Sequence, residues 1–313
     1  MSNVLQYPGD GPGRVMTDAM SLSNEAIGCE WALADERIGE LTVMNRHTGQ
    51  AIQLHHALPR LVLADGRVID LAALSPIKPV RAAAGCMTAM FHDEPAGLRM
   101  RWSAMLLDDA NALIMMLDVG ATHEVTIDQW VFCEQPIAGA TQVGQTEGSV
   151  VVAGDIFMAV EHPLASNVVT DGIVRCALQR NDQLRAGESA NLTMAIGVVP
   201  PNQLRRAFLY YLEQRRGHRY RQFTHYNSWY DVHLNRPVER TDEAECVNTI
   251  EYFGRELVEK RDVPMDAFVW DDGWDDHESL WQFHRGFPNG FKKLNEAAKR
   301  YGAGMAMDEK SVA

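Results

Sequence analysis

Ala267-Phe268-Val269-Trp270-Asp271-Asp272-Gly273-Trp274-Asp275-Asp276-His277 is the stretch on which the fold of this chain turns. Its apolar head is short and unbroken, as expected of a parallel strand buried on both faces. Upstream, residues 222–227 read as a strand. Asp242-x-x-Glu245 then resembles a capping box, opening a helix whose apolar stripe is Val247, Ile250, Phe253 and Leu257. Downstream, Pro288-Asn289-Gly290 turns into a helix carrying Leu294 and Ala297, and residues 302–307 read as a third strand. Strand–helix–strand–helix–strand is the opening of an α/β barrel or of a doubly wound sheet.

The chain before this region has another character. Across residues 21–199 short apolar runs alternate with turn residues. Strands are predicted at 26–33, 40–44, 51–56 and 67–71, at 97–105, 112–119, 123–131 and 156–161, and at 172–178 and 192–199. In residues 124–131, Val125, Ile127 and Gln129 are expected on one face and Thr126, Asp128 and Trp130 on the other. Many strands without long helical periods indicate a β-sandwich. After Pro200-Pro201 the period changes to that of a helix, with Leu204, Phe208, Tyr211 and Leu212 on one stripe and Gly217 placed to end it. The expected organisation is a sandwich over 1–199, a connecting helix over 200–218 and an α/β portion over 219–313. The 95 residues from 219 onward fall well short of the about 250 of a complete eight-fold barrel. Three strands cannot close one, so the chain reads as a fragment.

Of the 313 residues, 46% are hydrophobic and 23% charged, ample material for a core. The formal charge of -13 argues against nucleic-acid binding, which needs clustered Lys and Arg. No segment approaches the roughly 20 apolar residues of a membrane span, and residues 1–24 hold no apolar run of the signal-peptide kind. A cytoplasmic location is expected, or a periplasmic or secreted one if a leader is missing. The five cysteines are scattered and form no CxxC pair, so they are expected as buried free thiols and not as zinc ligands. No cofactor is expected.

Asp271 and Asp272 stand at the carboxyl end of a predicted strand, where ligands bind in folds of this class. The bend at Gly273 lets both reach one pocket. Ionised carboxylates accept several hydroxyl bonds at once, and indoles offer flat apolar faces; both suit a sugar. Four of the seven tryptophans, Trp229, Trp270, Trp274 and Trp281, fall between 229 and 281. Asp271, Asp272 and Trp274 are therefore candidate sugar-binding residues. Asp275 and Asp276 are expected to cap a following helix. The acidic run lacks the spacing of an EF-hand loop, and no metal site is expected. Asn227 and Trp229 end the preceding strand and are candidates too, although Asn and Ser also suit an ordinary strand-to-loop turn. Glu161-His162-Pro163 reads as a strand end that could also touch a ligand.

Asn227-Ser228-Trp229, Asp271-Asp272-Gly273-Trp274 and Phe287-Pro288-Asn289-Gly290-Phe291, in this order, resemble glycoside hydrolase family 36 and its relatives, which include α-galactosidases and raffinose-synthase-type enzymes. The resemblance covers residues 223–307 directly. It implies a multidomain β plus α/β protein, with an N-terminal β-supersandwich followed by the first part of an incomplete (β/α)8 barrel. It implies that Asp271 and Asp272 bind hydroxyls of a terminal α-linked sugar, with an oligosaccharide or glycoconjugate as the carbohydrate partner. In such enzymes the nucleophilic Asp lies on the fourth barrel strand and the acid/base Asp on the sixth. Neither can be assigned to a residue here, so no catalytic residue is named. The chain alone is expected to be inactive, a fragment of a retaining α-glycosidase truncated after the third strand. A non-catalytic carbohydrate-binding or scaffold protein, or a non-functional gene product, is the alternative.

The resemblance also implies a Ser-Pro-Trp turn where the chain reads Met307-Asp308-Glu309-Lys310-Ser311-Val312-Ala313. Written ATG GAT GAA AAG TCC GTG GCN and read one base downstream, this gives Trp-Met-Lys-Ser-Pro-Trp. A frame change near Ala306 is the expectation, with chance its competitor because codon degeneracy allows many rewritings.

Overall fold

The computed structural model describes residues 20–34, 37–78, 80–83, 85–231, 241–271, 273–276, 278, 279 and 281–306. The chain divides into two compact units, Met1–His218 and Arg219–Ala313. Asp272 and residues 307–313, on which the frame-change expectation falls, lie outside the described residues.

The first unit is built from three sheets. Strands β1 (Met20–Ser23), β2 (Ile27–Ala34), β3 (Arg37–Asn45) and β4 (Ala51–Leu54) form an antiparallel sheet in sequential order. Further along come β5 (Arg60–Leu63), β6 (Val68–Asp70), β7 (Arg81–Ala83), β8 (Cys86–Asp93), β9 (Leu98–Met105), β10 (Ala112–Ala121) and β11 (Val125–Pro136). They are followed by β12 (Ala140–Val143), β13 (Val150–Ala153), β14 (Ile156–Val160), β15 (Ser166–Thr170), β16 (Ile173–Leu184) and β17 (Ser189–Val198). An eight-stranded sheet runs β12-β13-β14-β17-β10-β9-β8-β7, and a five-stranded one runs β15-β16-β11-β5-β6.

One core draws on all three sheets, which is the sandwich that the strand pattern predicts. In β10, Leu113, Met115, Leu117 and Val119 alternate into it. Trp31 of β2 meets Trp102 of β9 edge-on at 6.0 Å. One expectation is corrected. Trp130 joins Val125 and Ile127 in the core instead of facing away from them. The pairing of β11 slips between Ile127 and Gln129, and a bulge of this kind inserts an extra residue that resets the alternation.

Helix α1 (Leu204–Arg215) covers part of the outer face of the eight-stranded sheet, against Ala112, Val150, Val152, Phe157 and Ala195. Glu161 pins it there. Its carboxylate accepts from the Tyr211 hydroxyl at 2.6 Å and from Arg215 at 2.7 and 2.9 Å. Burial acts to raise the Glu161 pKa, but the Arg215 and Tyr211 hydrogen bonds prevail and hold it below the ordinary value. His162 turns back locally, its Nδ1 accepting from the N–H of Leu164 at 3.2 Å.

In the second unit β18 (His225–Asn227), β19 (Ala267–Val269) and β20 (Gly304–Ala306) pair in parallel and in sequential order. Helix α2 (Glu243–Phe253) opens with the expected cap, the Asp242 carboxylate accepting from the N–H of Glu245 at 2.8 Å. It runs on through a wider π-type turn, Gly254–Glu259. Helix α3 (Lys292–Arg300) carries Leu294, Ala297 and Ala298. These residues share a core with Cys246 and Ile250 of α2 and with Phe268 and Trp270, so both helices lie on the same face of the sheet. Among the described residues no helix is long and apolar enough to cross a membrane.

Candidate functional site

The alternation of two short strands decides which side chains meet. Tyr226 and Phe268 point into the helix-side core. Asn227 and Val269, one residue on, therefore face the opposite side and pair in register. Trp270 returns to the helix layer, 5.4 Å from Tyr226, and Asp271 comes back to the face of Asn227. The Asn227 amide donates to the Asp271 carboxylate at 3.4 Å, and the Asn227 Oδ1 accepts from the N–H of Trp229 at 2.8 Å. The structure thus brings together the amide and the carboxylate that the sequence places at the ends of adjacent strands.

The four tryptophans of this unit separate by exposure. Trp229 is 47% exposed and Trp281 is 46% exposed, whereas Trp270 and Trp274 are buried. Trp274 has 7% of its surface open and packs among Trp281, Phe283 and Phe291 with ring centroids 5.2–6.2 Å apart. Its place is in the core of the unit, and the open indoles are those of Trp229 and Trp281.

Among the described residues the segment after Asp275 and Asp276 is turn and bend, in place of the expected capped helix; the Asp276 carboxylate caps a turn instead, accepting from the N–H of Glu278 at 3.1 Å. Asp275 bridges antiparallel to Phe283, and the N–H of Asp276 donates to the carbonyl of Gln282 at 2.7 Å. The loop returns through His284. Its Nδ1 accepts from the N–H of Gly286 at 2.9 Å, so its Nε2 carries the proton and donates to the carbonyl of Gly273 at 3.1 Å. Gly273 has φ 98, in the left-handed region that glycine adopts without strain.

Two supporting residues escape a reading of the sequence. Ser228 is buried and its hydroxyl accepts from the N–H of Asp271 at 2.8 Å. His284 holds the carbonyl at the bend. Both act on backbone groups distant in the chain; Ser228 stands inside the Asn227-Ser228-Trp229 motif, but the motif does not announce the contact, and His284 belongs to no motif. Among the described residues no group of three or more His, Cys, Asp or Glu is placed to hold a metal ion.

At the other end of the strands Asp266 accepts from the N–H of Thr224 at 2.7 Å and pairs with Arg221. The Thr224 bond, then Arg221, lowers its pKa. Tyr226 donates to Asp231 at 2.9 Å, and burial followed by that bond raises its pKa.

No protein-family model matches the sequence, and no curated protein matches it. Solved structures do. The α-galactosidase AgaA of Geobacillus stearothermophilus superposes with a TM-score of 0.55 at 13% identity over 92% of this chain. The α-galactosidase of Lactobacillus brevis superposes with a TM-score of 0.56 at 10% identity, again over 92%. The galactosidase domain of the α-galactosidase–sucrose kinase AgaSK gives 0.54 at 10% over the same share. The fold is similar to that of GH36 α-galactosidases. The chain spans 54–56% of the length of those GH36 structures. At these identities the likeness shows the fold, including the sandwich of the first unit. Variants of AgaA have been solved in complex with stachyose and with raffinose.

Proposed function

We propose that the second unit carries part of a recognition site for a terminal α-linked sugar of the α-galactoside type, and that this chain alone binds without cleaving. The observation that carries this reading is the meeting of Asn227 and Asp271 on one face at the carboxyl ends of adjacent parallel strands, 3.4 Å apart. An amide and a carboxylate side by side offer donors and acceptors to neighbouring sugar hydroxyls, and the exposed Trp229 indole offers an apolar surface beside them. Asp272, adjacent in sequence, is proposed as the second carboxylate on the strength of the motif. Trp274 supports the site from the core.

The sequential parallel order of β18-β19-β20, with both helices on one face, supports reading this unit as the opening of a (β/α)8 barrel. The GH36-like fold supports the sugar class, since variants of AgaA have been solved in complex with stachyose and with raffinose. Retaining cleavage needs two carboxyl groups about 5–5.5 Å apart on either side of the scissile bond. Asp271 and Asp272 are neighbours in the sequence, and the pair is therefore not proposed as the two carboxyl groups of cleavage.

Calorimetric titration with raffinose and with galactose tests the proposal. Binding that weakens in Asp271→Asn, with no release of p-nitrophenol from p-nitrophenyl α-galactoside, is the expected result. Affinity indifferent to Asp271→Asn places the sugar elsewhere, and robust turnover refutes binding without cleavage.

A further inference from the structure

Cys133 and Cys176 are partners across the antiparallel pair of β11 and β16, where regular pairing resumes after a bulge between Val131 and Cys133. Both side chains lie in the sandwich core, 3% and 0% exposed. Residues directly opposite in an antiparallel pair have Cα atoms about 4.5–5.5 Å apart, inside the roughly 4.4–6.8 Å that a disulfide spans. Opposite residues also project from the same face, so their Cβ atoms approach each other. The remaining cysteines have no such relationship. Cys29 pairs with Leu22 and Val43, Cys86 with Ala83 and Met105, and Cys246 lies on α2 in the second unit.

We propose that Cys133 and Cys176 form a cross-strand disulfide when the chain folds in the presence of a disulfide oxidant, and otherwise remain two buried thiols. The thiolate of one cysteine attacks a small disulfide such as oxidised glutathione and expels one glutathione thiolate. The second cysteine's thiolate then attacks the cysteine sulfur of the mixed disulfide and expels the other. The two cysteine thiols give up two electrons and two protons, and oxidised glutathione becomes two reduced molecules.

The folded chain is closed to this chemistry. Burial pushes the Cys133 thiol to about 12 and the Cys176 thiol well above its ordinary value, so the attacking thiolate is scarce once the core has formed. The exchange belongs to the stage before β11 and β16 are covered. In an oxidising compartment the bridge would persist, and in a thiol-rich one it would not form.

The full chain, reduced and unfolded in denaturant, is refolded by dilution either into a glutathione redox buffer or into excess reductant. Thiols of the soluble product are counted under denaturing conditions and located by peptide mass spectrometry. After oxidative refolding the expected result is loss of two of the five thiols and one Cys133–Cys176 cross-linked peptide. After reducing refolding all five remain, and they also remain when folded, reduced protein is placed in the redox buffer. Oxidatively refolded protein that keeps all five thiols overturns the proposal. So does a bridge to Cys29, Cys86 or Cys246, or a glutathione adduct at either cysteine without an internal bridge. Cross-linking of the folded protein as fast as during refolding overturns the assignment to the folding stage.

Discussion

The backbone N–H of Asp271 donates to the hydroxyl of Ser228 at 2.8 Å, so the end of the second parallel strand hangs on the turn that closes the first. Ser228 is wholly buried, and an alanine there leaves that N–H without its partner. Ser228→Ala is expected to cost about 1–3 kcal/mol. In urea unfolding the midpoint should fall while the slope stays constant, because the surface exposed on unfolding is unchanged. A midpoint equal to that of the wild type would mean that the bond is dispensable.

Trp229 and Trp274 should respond to substitution in opposite ways. Trp274 fills a cluster with Trp281, Phe283 and Phe291, so Trp274→Ala removes a buried ring, at a cost of about 3–5 kcal/mol. Trp229 is 47% exposed. Trp229→Ala should leave stability within about 0.5 kcal/mol of the wild type. If the sugar reading holds, the same variant lowers raffinose affinity. Thermal melts and calorimetry on the two variants separate packing from binding; equal destabilisation would remove the distinction between the rings.

Those two indoles also show where sequence reading stops. Both follow a strand end and both look like a sugar platform; only burial tells them apart. Asp271 and Asn227 were legible as neighbours because each stands at the carboxyl end of one of two adjacent predicted strands, and a hydrogen bond joins them. Ser228 and His284 were not, since each supports the backbone of a residue on another segment. In the sandwich, the strand expected at 112–119 is found as β10, whose Leu113, Met115, Leu117 and Val119 face the core. Val150, Val151, Val152 and Ala153 were not read as a strand. Val151 and Ala153 face the sandwich core while Val150 and Val152 face α1, so burial on both sides erases the alternation. Trp130 was misplaced by a bulge, which no hydrophobic pattern announces.

Gly254 lets the end of α3 approach the turn that ends α2. A Cβ added there would lie 2.3 Å from Cε2 of Tyr301, whose hydroxyl is held by Glu251 at 2.6 Å. Gly254→Ala should therefore destabilise the chain by about 1–3 kcal/mol through overpacking. In a Tyr301→Ala background the clash is gone, and the same change should be neutral or gain up to about 1 kcal/mol from better helix propensity. A double-mutant cycle in urea measures the coupling directly. Additive effects would mean that the ring moves aside at no cost.

Glu161 gives the sandwich unit a pH-dependent clasp. Its carboxylate takes hydrogen bonds from Tyr211 and from both nitrogens of the Arg215 fork, which keep its folded pKa below the ordinary value despite burial. An unfolded Glu titrates near about 4.3. A group whose pKa is depressed by folding contributes stability that is complete above the unfolded pKa and is lost as pH falls through the folded one. Stability should therefore start to fall as pH drops below about 4.3, and Glu161 should become protonated, loosening α1 from the sheet, once pH passes below its lower folded value. Glu161→Gln keeps the shape and removes the charge, at a cost of about 1.5–3 kcal/mol at neutral pH, the range for a bond to a charged group. The variant should then lose less stability than the wild type between neutral pH and the acid range, so their unfolding free energies converge as the wild-type carboxylate is protonated. Parallel curves for the two proteins would show that the clasp does not titrate with folding.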